Sequence, residues 1–233
     1  YKNYQKYILD NIKNPNDKSL ISLCLQITNN KEEIFHQIPH FIFPISGLFI
    51  TSLPSPLLFI FNVKSVLNNV LNEINNVQNN KNDYNINRLI YEMSYLRKCI
   101  LESLRLINPL ITTFRTLTRD FQFSREYSFK KGTQFLILNN PVLREKEYFK
   151  DPNKYIPERW NKNMEKSYYS ISFNQGPQRC PAKELVIYLI QSCIYNLITI
   201  KNININKKID INKIDINNSP QITNPFEFYM KFN

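Results

Sequence analysis

A loop in the last third of the chain has the residue types needed to present one thiolate to a metal ion. The stretch Phe173-Asn-Gln-Gly-Pro-Gln-Arg-Cys180 ends at a cysteine and leads into an apolar run. Gly176 permits a backbone turn that a residue with a Cβ resists, and Pro177 stiffens the next part of the loop. Amide groups of a turn and of a helix N-terminus stabilise a charged sulfur. We therefore predict that Cys180 is a metal ligand; the alternative is an inert cysteine buried beside a helix.

Other charged and turn-forming motifs precede this loop. Glu102 and Arg105 lie three apart in an apolar helical pattern, so they share a helix face and can pair. A buried pair of this kind requires further hydrogen bonds to be tolerated. The motifs occur in the order Glu102-Ser-Leu-Arg105, Pro109, Arg115, Lys131-Gly-Thr133, Pro157-Glu-Arg-Trp160 and the Cys180 loop.

This order of motifs resembles the C-terminal half of a cytochrome P450. That family has a helical Glu-x-x-Arg motif, a Pro/Arg segment, a Lys-Gly-Thr strand entry, a Pro-Glu-Arg-aromatic turn and a Phe-x-x-Gly-x-x-x-Cys loop. Each motif is weak alone, but five in the family's order rarely arise by chance. The resemblance extends from about Lys31 to Gln191. It implies a mainly α fold with a small β sheet, the haem-ligating half of the P450 fold.

The resemblance also implies a cofactor, haem b (iron protoporphyrin IX), with its axial thiolate from Cys180. Phe173 is expected to pack beside the sulfur, and Gly176 to shape the loop. Arg115 is expected to pair with a haem propionate, the alternative being an exposed strand arginine. The family commonly has Arg or His two residues before the cysteine. This chain has Gln178 there, followed by Arg179, and we predict both as cofactor contacts with weakened haem affinity.

Arg159 is the expected third member of the Glu102 and Arg105 pair, again by resemblance. Its role, like theirs, is predicted to be structural, because the three would join the helix to the loops that support Cys180. No substrate contact is expected from them.

The central helix departs from the family. Oxygen-activating members carry small residues, an acid and a threonine there, which relay protons. An ungapped register places Leu48-Phe49 at these positions, and Thr51 lies two residues further on. Phe49 and Thr51 therefore lie near the expected proton-relay position, and no catalytic residue is assigned.

The predicted function is that of a haem-thiolate monooxygenase, an iron-containing oxidoreductase that inserts one oxygen atom of O2 into an apolar organic substrate. An NADPH-dependent reductase or another donor would supply the electrons. Two alternatives stay open. The absent relay threonine favours a P450-type peroxide isomerase or dehydratase. The expectation that the chain, which starts at Tyr1, lacks the family's N-terminal half favours a non-catalytic remnant.

Hydrophobic periodicity and turn signals predict a single partial domain over residues 1–233. Its segments are a weakly helical lead-in (1–30), a central long helix with the next helix (31–78), the Glu-x-x-Arg helix (88–108), a small β region (109–140), a meander with the Cys loop (141–180), a helix after the cysteine (181–200) and C-terminal strands (201–233).

The run from Phe41 to Val63 contains no charged residue, and its length allows a membrane span. We favour a buried helix, because the segments on both sides match the family. The four cysteines suggest no disulfide framework, so we expect an intracellular protein and leave membrane association open.

The net charge of +11 arises from scattered basic residues, which predicts a solvated surface rather than a nucleic-acid site. By resemblance, an electron donor would dock on a basic face near the cysteine. The residues expected to contribute to that face are Arg97, Lys98, Arg179 and Lys183.

Overall fold

The computed structural model describes residues 19–79, 86–110 and 112–199, the strands 203–205 and 230–232, and residues 6 and 10. The described helices are α1 (Leu20–Ile27), α2 (Lys31–Ser52), α3 (Pro54–Asn62), α4 (Lys64–Asn79), α5 (Ile86–Glu92), α6 (Ser94–Leu106), α7 (Asn139–Leu143), α8 (Lys162–Lys166) and α9 (Lys183–Thr199). The strands are β1 (Thr112–Thr116), β2 (Phe121–Gln122), β3 (Ser128–Phe129), β4 (Gln134–Leu138), β5 (Ile203–Ile205) and β6 (Met230–Phe232). The mainly helical fold with small sheets that the sequence predicts is confirmed.

The chain divides into two compact units, Tyr1–Leu48 and Phe49–Asn233. In the first unit, a small core forms where Ile21 packs with Ile34 and Ile38. Asn30 caps the start of α2, because its side-chain oxygen accepts from the amides of Glu32 and Glu33 at 3.2 Å each. Most of the predicted lead-in, residues 1–5, 7–9 and 11–18, lies outside the described residues.

The core of the second unit is built around α6. Its buried apolar side chains come from α3, α4, α6 and α9, with Met93 from the break before α6 and Trp160 from the meander: Leu57, Ile60, Val66, Val70, Ile74, Met93, Leu96, Cys99, Ile100, Leu101, Leu104, Trp160, Val186, Ile187, Ile190 and Ile194. This core therefore surrounds the helix that carries Glu102 and Arg105.

The uncharged run 41–63 does not form the one buried helix that we favoured, because it is divided between two helices and its first part is exposed at Phe41, Ile42, Phe43 and Ile50. α2 ends at Ser52, and Pro54 begins α3, a position that suits proline because a first-turn N–H has no intrahelical partner. Residues 55–60 of α3 are buried within the second unit. In the described part of the chain, no single helix has the length and apolarity of a membrane span. One bent pair, 49–62 with 64–79, reaches them together across a 103° bend.

The structure differs from the single helix predicted over 88–108. α5 and α6 are separate helices, because Met93 leaves the helical conformation with ψ at 93°. Gln191 of α9 stabilises this break, since its Nε2 donates to the carbonyls of Ile90 (3.1 Å) and Met93 (2.9 Å). No proline or glycine marks the position, so the sequence pattern gives no signal for it.

Met93 also makes no side-chain cap for α6. The cap comes from another helix instead, because the Glu73 carboxylate of α4 accepts from the amides of Tyr95 (2.8 Å) and Leu96 (2.9 Å). A carboxylate at a helix N-terminus satisfies otherwise unpaired amides and complements the helix dipole. The start of α6 is thus fixed by α4.

The sheets are small and antiparallel. β1 pairs with β4 from Thr112 opposite Leu138 to Thr116 opposite Gln134. β2 pairs with β3, and β5 pairs with β6. Gly132 has a φ of +88°, which allows the chain to turn into β4. The remaining residues of the predicted C-terminal strands, 201–202, 206–229 and 233, lie outside the described residues.

Candidate functional site

The structure brings Glu102, Arg105 and Arg159 together. Arg105 donates to both carboxylate oxygens of Glu102, from Nε at 2.9 Å and from Nη2 at 2.8 Å. Arg159 donates from Nε to Oε1 of Glu102 at 3.0 Å. The side chains of Glu102 and Arg105 are fully buried, and that of Arg159 is 9% exposed. A buried carboxylate therefore has two guanidinium partners.

Two further groups donate hydrogen bonds to the Glu102 carboxylate. Trp160 Nε1 donates to Oε2 at 2.8 Å, and the amide of Ile156 donates to Oε1 at 3.0 Å. Sequence reasoning missed both. The Trp160 contact had a signal, because a buried tryptophan N–H usually finds an acceptor. The Ile156 contact had none, since a backbone amide carries no residue-type information.

The two arginines also bind main-chain carbonyls of the meander. Arg105 Nη1 donates to the carbonyls of Leu143 (2.8 Å) and Pro152 (2.7 Å), and its guanidinium lies 5.0 Å from the Phe149 ring centre. Arg159 donates to the carbonyl of Lys150 at 2.7 Å. The Arg105 bonds join α6 to the segment that leads to the cysteine loop, and the Arg159 bond links two parts of that segment.

The Cys180 loop forms a compact turn. The Cys180 amide donates to the Phe173 carbonyl at 2.8 Å, and the Arg179 amide donates to the Gly176 carbonyl at 3.1 Å. Gly176 has a φ of +73° and Asn174 a φ of +56°. The glycine therefore occupies backbone space that a residue with a Cβ rarely adopts, and the turn carries Cys180 to a point three residues before α9.

The two ends of the Cys180 loop are more buried than its middle. Phe173 and Cys180 are half-buried, and Phe173 packs against the core of the second unit. Gly176, Gln178 and Arg179 are exposed. Ser172 donates to the Leu104 carbonyl of α6 at 3.3 Å, so the loop contacts the helix that carries the buried charge cluster.

Arg97 and Lys183 do not form the free basic face that we expected. Arg97 donates to both oxygens of Glu165 (2.7 and 3.1 Å) and to both oxygens of Glu184 (2.8 and 3.0 Å). Lys183 Nζ lies 3.2 Å from Glu165 Oε2. We call these four residues the Glu165 network. Its two positive and two negative charges balance, so it adds no net charge to this surface.

Hydrogen bonds within the Glu165 network set the ionisation of its acids. Burial alone would raise the pKa of Glu165, but the bonds from Arg97 and the charge of Lys183 hold that pKa below its ordinary value. The bond from Arg97 likewise lowers the pKa of Glu184. Both carboxyls are therefore ionised at neutral pH, and the network stays intact there.

The other predicted contacts lie apart from this network. Arg115 is half-buried on β1, and its Nη1 donates to the Phe114 carbonyl at 2.8 Å. Phe49 packs against the core of the second unit, whereas Thr51 is exposed. The structure thus leaves an apolar aromatic ring, rather than a hydroxyl, on the buried side near the expected relay position.

Among the remaining thiols of the second unit, burial disfavours ionisation. It raises the pKa of Cys99 to about 12, and it also raises the pKa of Cys193. A thiolate ligand must lose its proton, so these two cysteines are poor candidates. In the described residues, no group of three or more His, Cys, Asp or Glu side chains is arranged to hold a metal ion.

The fold of this chain is that of cytochrome P450 haem domains. The crystal structure of a cytochrome P450 (CYP102L1) superposes with a TM-score of 0.69 at 17% identity, covering 89% of this chain and 51% of that one. A cytochrome P450DA mutant haem domain superposes with a TM-score of 0.69 at 14% identity, covering 90% and 46%. The chain therefore spans about half of the solved structures that it matches.

The cytochrome P450 family profile matches residues 6–225, and the chain belongs to that family, as its motif order predicts. It is 31% identical over 145 residues to a probable cytochrome P450 12d1 proximal, mitochondrial, of Drosophila melanogaster. That alignment covers 59% of this chain and 28% of the fly protein. It is 32% identical over 131 residues to the beta-amyrin 28-monooxygenase of Solanum lycopersicum, covering 56% and 27%.

Membership of this family implies a haem-thiolate cofactor in general, and the donors of this chain are compatible with it. A porphyrin supplies its own nitrogen ligands, so the protein needs to add one sulfur rather than a cluster of ligands. Cys180 is half-buried on a turn that contains two positive φ angles, and its amide donates to the carbonyl of the partly buried Phe173. Arg115, Gln178 and Arg179 offer donors for carboxylates.

Proposed function

We propose that this chain is the haem-ligating part of a P450 monooxygenase that inserts one oxygen atom into an apolar organic substrate. We propose Cys180 as the axial ligand and haem b as the cofactor. The observation that carries the proposal is the Cys180 turn, which lies beside the α6 helix and its buried Glu102 cluster. When bound, a haem with an axial thiolate supplies oxygen-activating chemistry, because the thiolate's electron density favours cleavage of an O–O bond.

The residues of the chain have separate roles in this proposal. The turn holds the Cys180 sulfur near the N-terminus of α9, where the helix dipole favours negative charge. Phe173 limits access of water to that sulfur, as the residues around a metal ligand commonly do. Arg115, Gln178 and Arg179 would bind the carboxylates of the cofactor, with Gln178 contributing a hydrogen bond without charge.

The proposal is tested by removing the sulfur. In reduced protein under carbon monoxide, we expect the red-shifted Soret band of thiolate ligation, and we expect Cys180→Ala to abolish it. Cys193→Ala is the matched control, because Cys193 is also half-buried in the second unit. Persistence of the band in Cys180→Ala would assign the ligand to another residue and overturn the proposal.

A second candidate function is that of a P450-type peroxide isomerase or dehydratase. It needs neither an electron donor nor a proton relay, and the observation in its favour is the apolar Phe49 beside the exposed Thr51. The third candidate, a non-catalytic remnant, predicts that purified protein takes up no haem at all. Turnover with NADPH and an electron donor, compared with turnover on an organic hydroperoxide, separates the first two.

A further inference from the structure

The Cys180 turn has a second attachment, which involves no member of the Glu102 cluster. Gln175 lies inside the turn, between Asn174 and Gly176, and its side chain is half-buried. Its Nε2 donates to the carbonyl of Glu165 at 3.2 Å and to the carbonyl of Ser170 at 3.0 Å. The amide therefore holds the first half of the turn against the end of α8.

Glu165 contacts the other side of the turn as well. Its carboxylate accepts from Lys183, the first residue of α9, and from Arg97 on α6. The side chains of Arg97 and Glu165 are each 19% exposed, so these bonds are largely shielded from water. One residue thus binds the chain before Cys180 through its carbonyl and the chain after Cys180 through its carboxylate.

The turn needs such support because its two internal backbone hydrogen bonds must hold a strained residue, Asn174, whose φ of 56° and ψ of 172° are rarely adopted by a residue with a Cβ. Asn174 and Gly176 both have positive φ angles, and residues 176–179 are exposed. A turn of this kind persists only when the surrounding structure holds it. In the described structure of residues 173–180, Gln175 supplies the side-chain hydrogen bonds that do so.

We propose that Gln175 and Glu165 are positioning residues that fix the turn carrying Cys180. The effect on the cysteine is local, and it exists in the protein without cofactor. Only its consequence for haem ligation rests on the proposed function. Without these contacts the turn opens more often, and the Cys180 sulfur samples positions away from the N-terminus of α9.

The test measures access to the Cys180 thiol in the full chain without cofactor. Each cysteine is alkylated with iodoacetamide, and the rate is followed by peptide-resolved mass spectrometry. In Gln175→Ala we expect alkylation of Cys180 to accelerate about tenfold, which corresponds to losing about 1.4 kcal/mol of hydrogen bonding from one amide group. Cys99 and Cys193 should react at their original rates, and the Cys180 amide should exchange its hydrogen faster.

Glu165→Gln should act in the same direction, because it weakens the bonds to Lys183 and Arg97 while leaving the Glu165 carbonyl in place. Glu92→Gln is the matched control, since Glu92 is paired with Arg88 on the exposed side of α5. It should leave Cys180 unchanged. If Glu165→Gln unfolds the protein, then Gln175→Ala decides, because it removes only an amide group. Unchanged Cys180 reactivity in Gln175→Ala, or an equal rise at all cysteines, would overturn the proposal.

Haem-loaded protein provides a second, separate measurement. Gln175→Ala should convert part of the thiolate-type carbon monoxide band to the band of a non-thiolate ligand. If Gln175→Ala accelerates alkylation but even the unsubstituted protein shows no thiolate-type band, the positioning role of Gln175 is supported and the proposed function is refuted. If Gln175→Ala leaves both the thiolate-type band and the alkylation rate unchanged, the proposed function is supported and the positioning role of Gln175 is refuted.

Discussion

The Glu102 carboxylate accepts five hydrogen bonds, two from Arg105 and one each from Arg159, Trp160 and the Ile156 amide. A fully buried charge is tolerated only when its lone pairs are satisfied in this way. The cost of disturbing it is therefore asymmetric. Removing the acid leaves two buried guanidinium groups without their counter-charge, whereas removing an exposed acid leaves groups that water can hydrate.

We predict that Glu102→Ala destabilises the protein by about 3–5 kcal/mol, the usual loss when one member of a buried pair is removed. The protein should be insoluble or fail to retain haem. Glu158→Ala is the matched control, because Glu158 lies in the same meander turn but is exposed and contacts the Tyr95 hydroxyl at 3.1 Å. Urea denaturation measures both. A folded, haem-loaded Glu102→Ala protein would contradict a structural role.

Helical spacing was sufficient to predict that Glu102 and Arg105 pair, because residues three apart share a face. Arg159 was predictable only through the family's motif order, since it lies 57 residues from Glu102. Gln175 and Glu165 were not predictable, because the bond from Gln175 goes to a carbonyl, which every residue possesses. The pairing of Arg97 with acids 68 and 87 residues away was likewise not predictable from the sequence, and for that reason Arg97 does not add free positive charge to the predicted basic face.

At the scale of elements, the Glu165 network joins α6, α8 and α9 through ionised carboxylates. The pKa values of Glu165 and Glu184 are lowered in the folded protein from an ordinary value of 4.5. Groups with lowered folded pKa stabilise the native state above their unfolded pKa, and that stabilisation is lost as the pH falls through the folded pKa. The loss therefore lies below about pH 4.5.

We predict that Arg97→Gln flattens the pH dependence of stability below pH 4.5 and costs on the order of 1 kcal/mol at neutral pH. Without the guanidinium, the two acids titrate nearer to their ordinary values. The test is to measure the urea midpoint of unfolding at a series of pH values from neutral to below pH 4.5. Arg88→Gln is the control, because its partner Glu92 is exposed. If Arg97→Gln loses stability below pH 4.5 as steeply as the unsubstituted protein, the prediction is contradicted.

At the scale of the whole molecule, the proposed monooxygenase reaction needs both electrons and protons, and a supply of electrons does not ensure a supply of protons. A positioned proton donor contributes about 10²- to 10⁴-fold to a reaction that requires one. Phe49 provides neither a donor nor space for water, and Thr51 is exposed. In the described part of the chain, neither Phe49 nor Thr51 therefore offers a buried proton donor to the proposed monooxygenase.

We predict that NADPH-supported hydroxylation is slow and releases most electrons as peroxide, whereas activity with an organic peroxide is less impaired. Phe49→Thr should increase the product formed per NADPH consumed, with Phe61→Thr as control on α3. The measurement compares NADPH consumption, peroxide and product. Tight coupling in the unsubstituted protein would contradict the prediction and point to Thr51 as the relay residue.

The cap that Glu73 provides for α6 has a consequence for the order of assembly. The first turn of a helix is costly to nucleate, and α6 has no local residue to help it. We predict that Glu73→Gln accelerates hydrogen exchange at the Tyr95 and Leu96 amides about tenfold or more, since charge-assisted bonds are lost. Glu92→Gln should leave these amides unchanged, and unaltered exchange in Glu73→Gln would contradict the prediction.

It follows that the positions of Glu102 and Arg105 along α6 depend on contacts made by other helices. The residue at which α6 begins is held by Glu73 of α4 and Gln191 of α9, rather than by a capping side chain of α6 itself. We therefore expect docking of α4 against α6 to precede the contact of Glu102 and Arg105 with the meander. A sequence change on α4, far from any cofactor contact, is thereby able to misalign the cluster on which the cysteine turn depends.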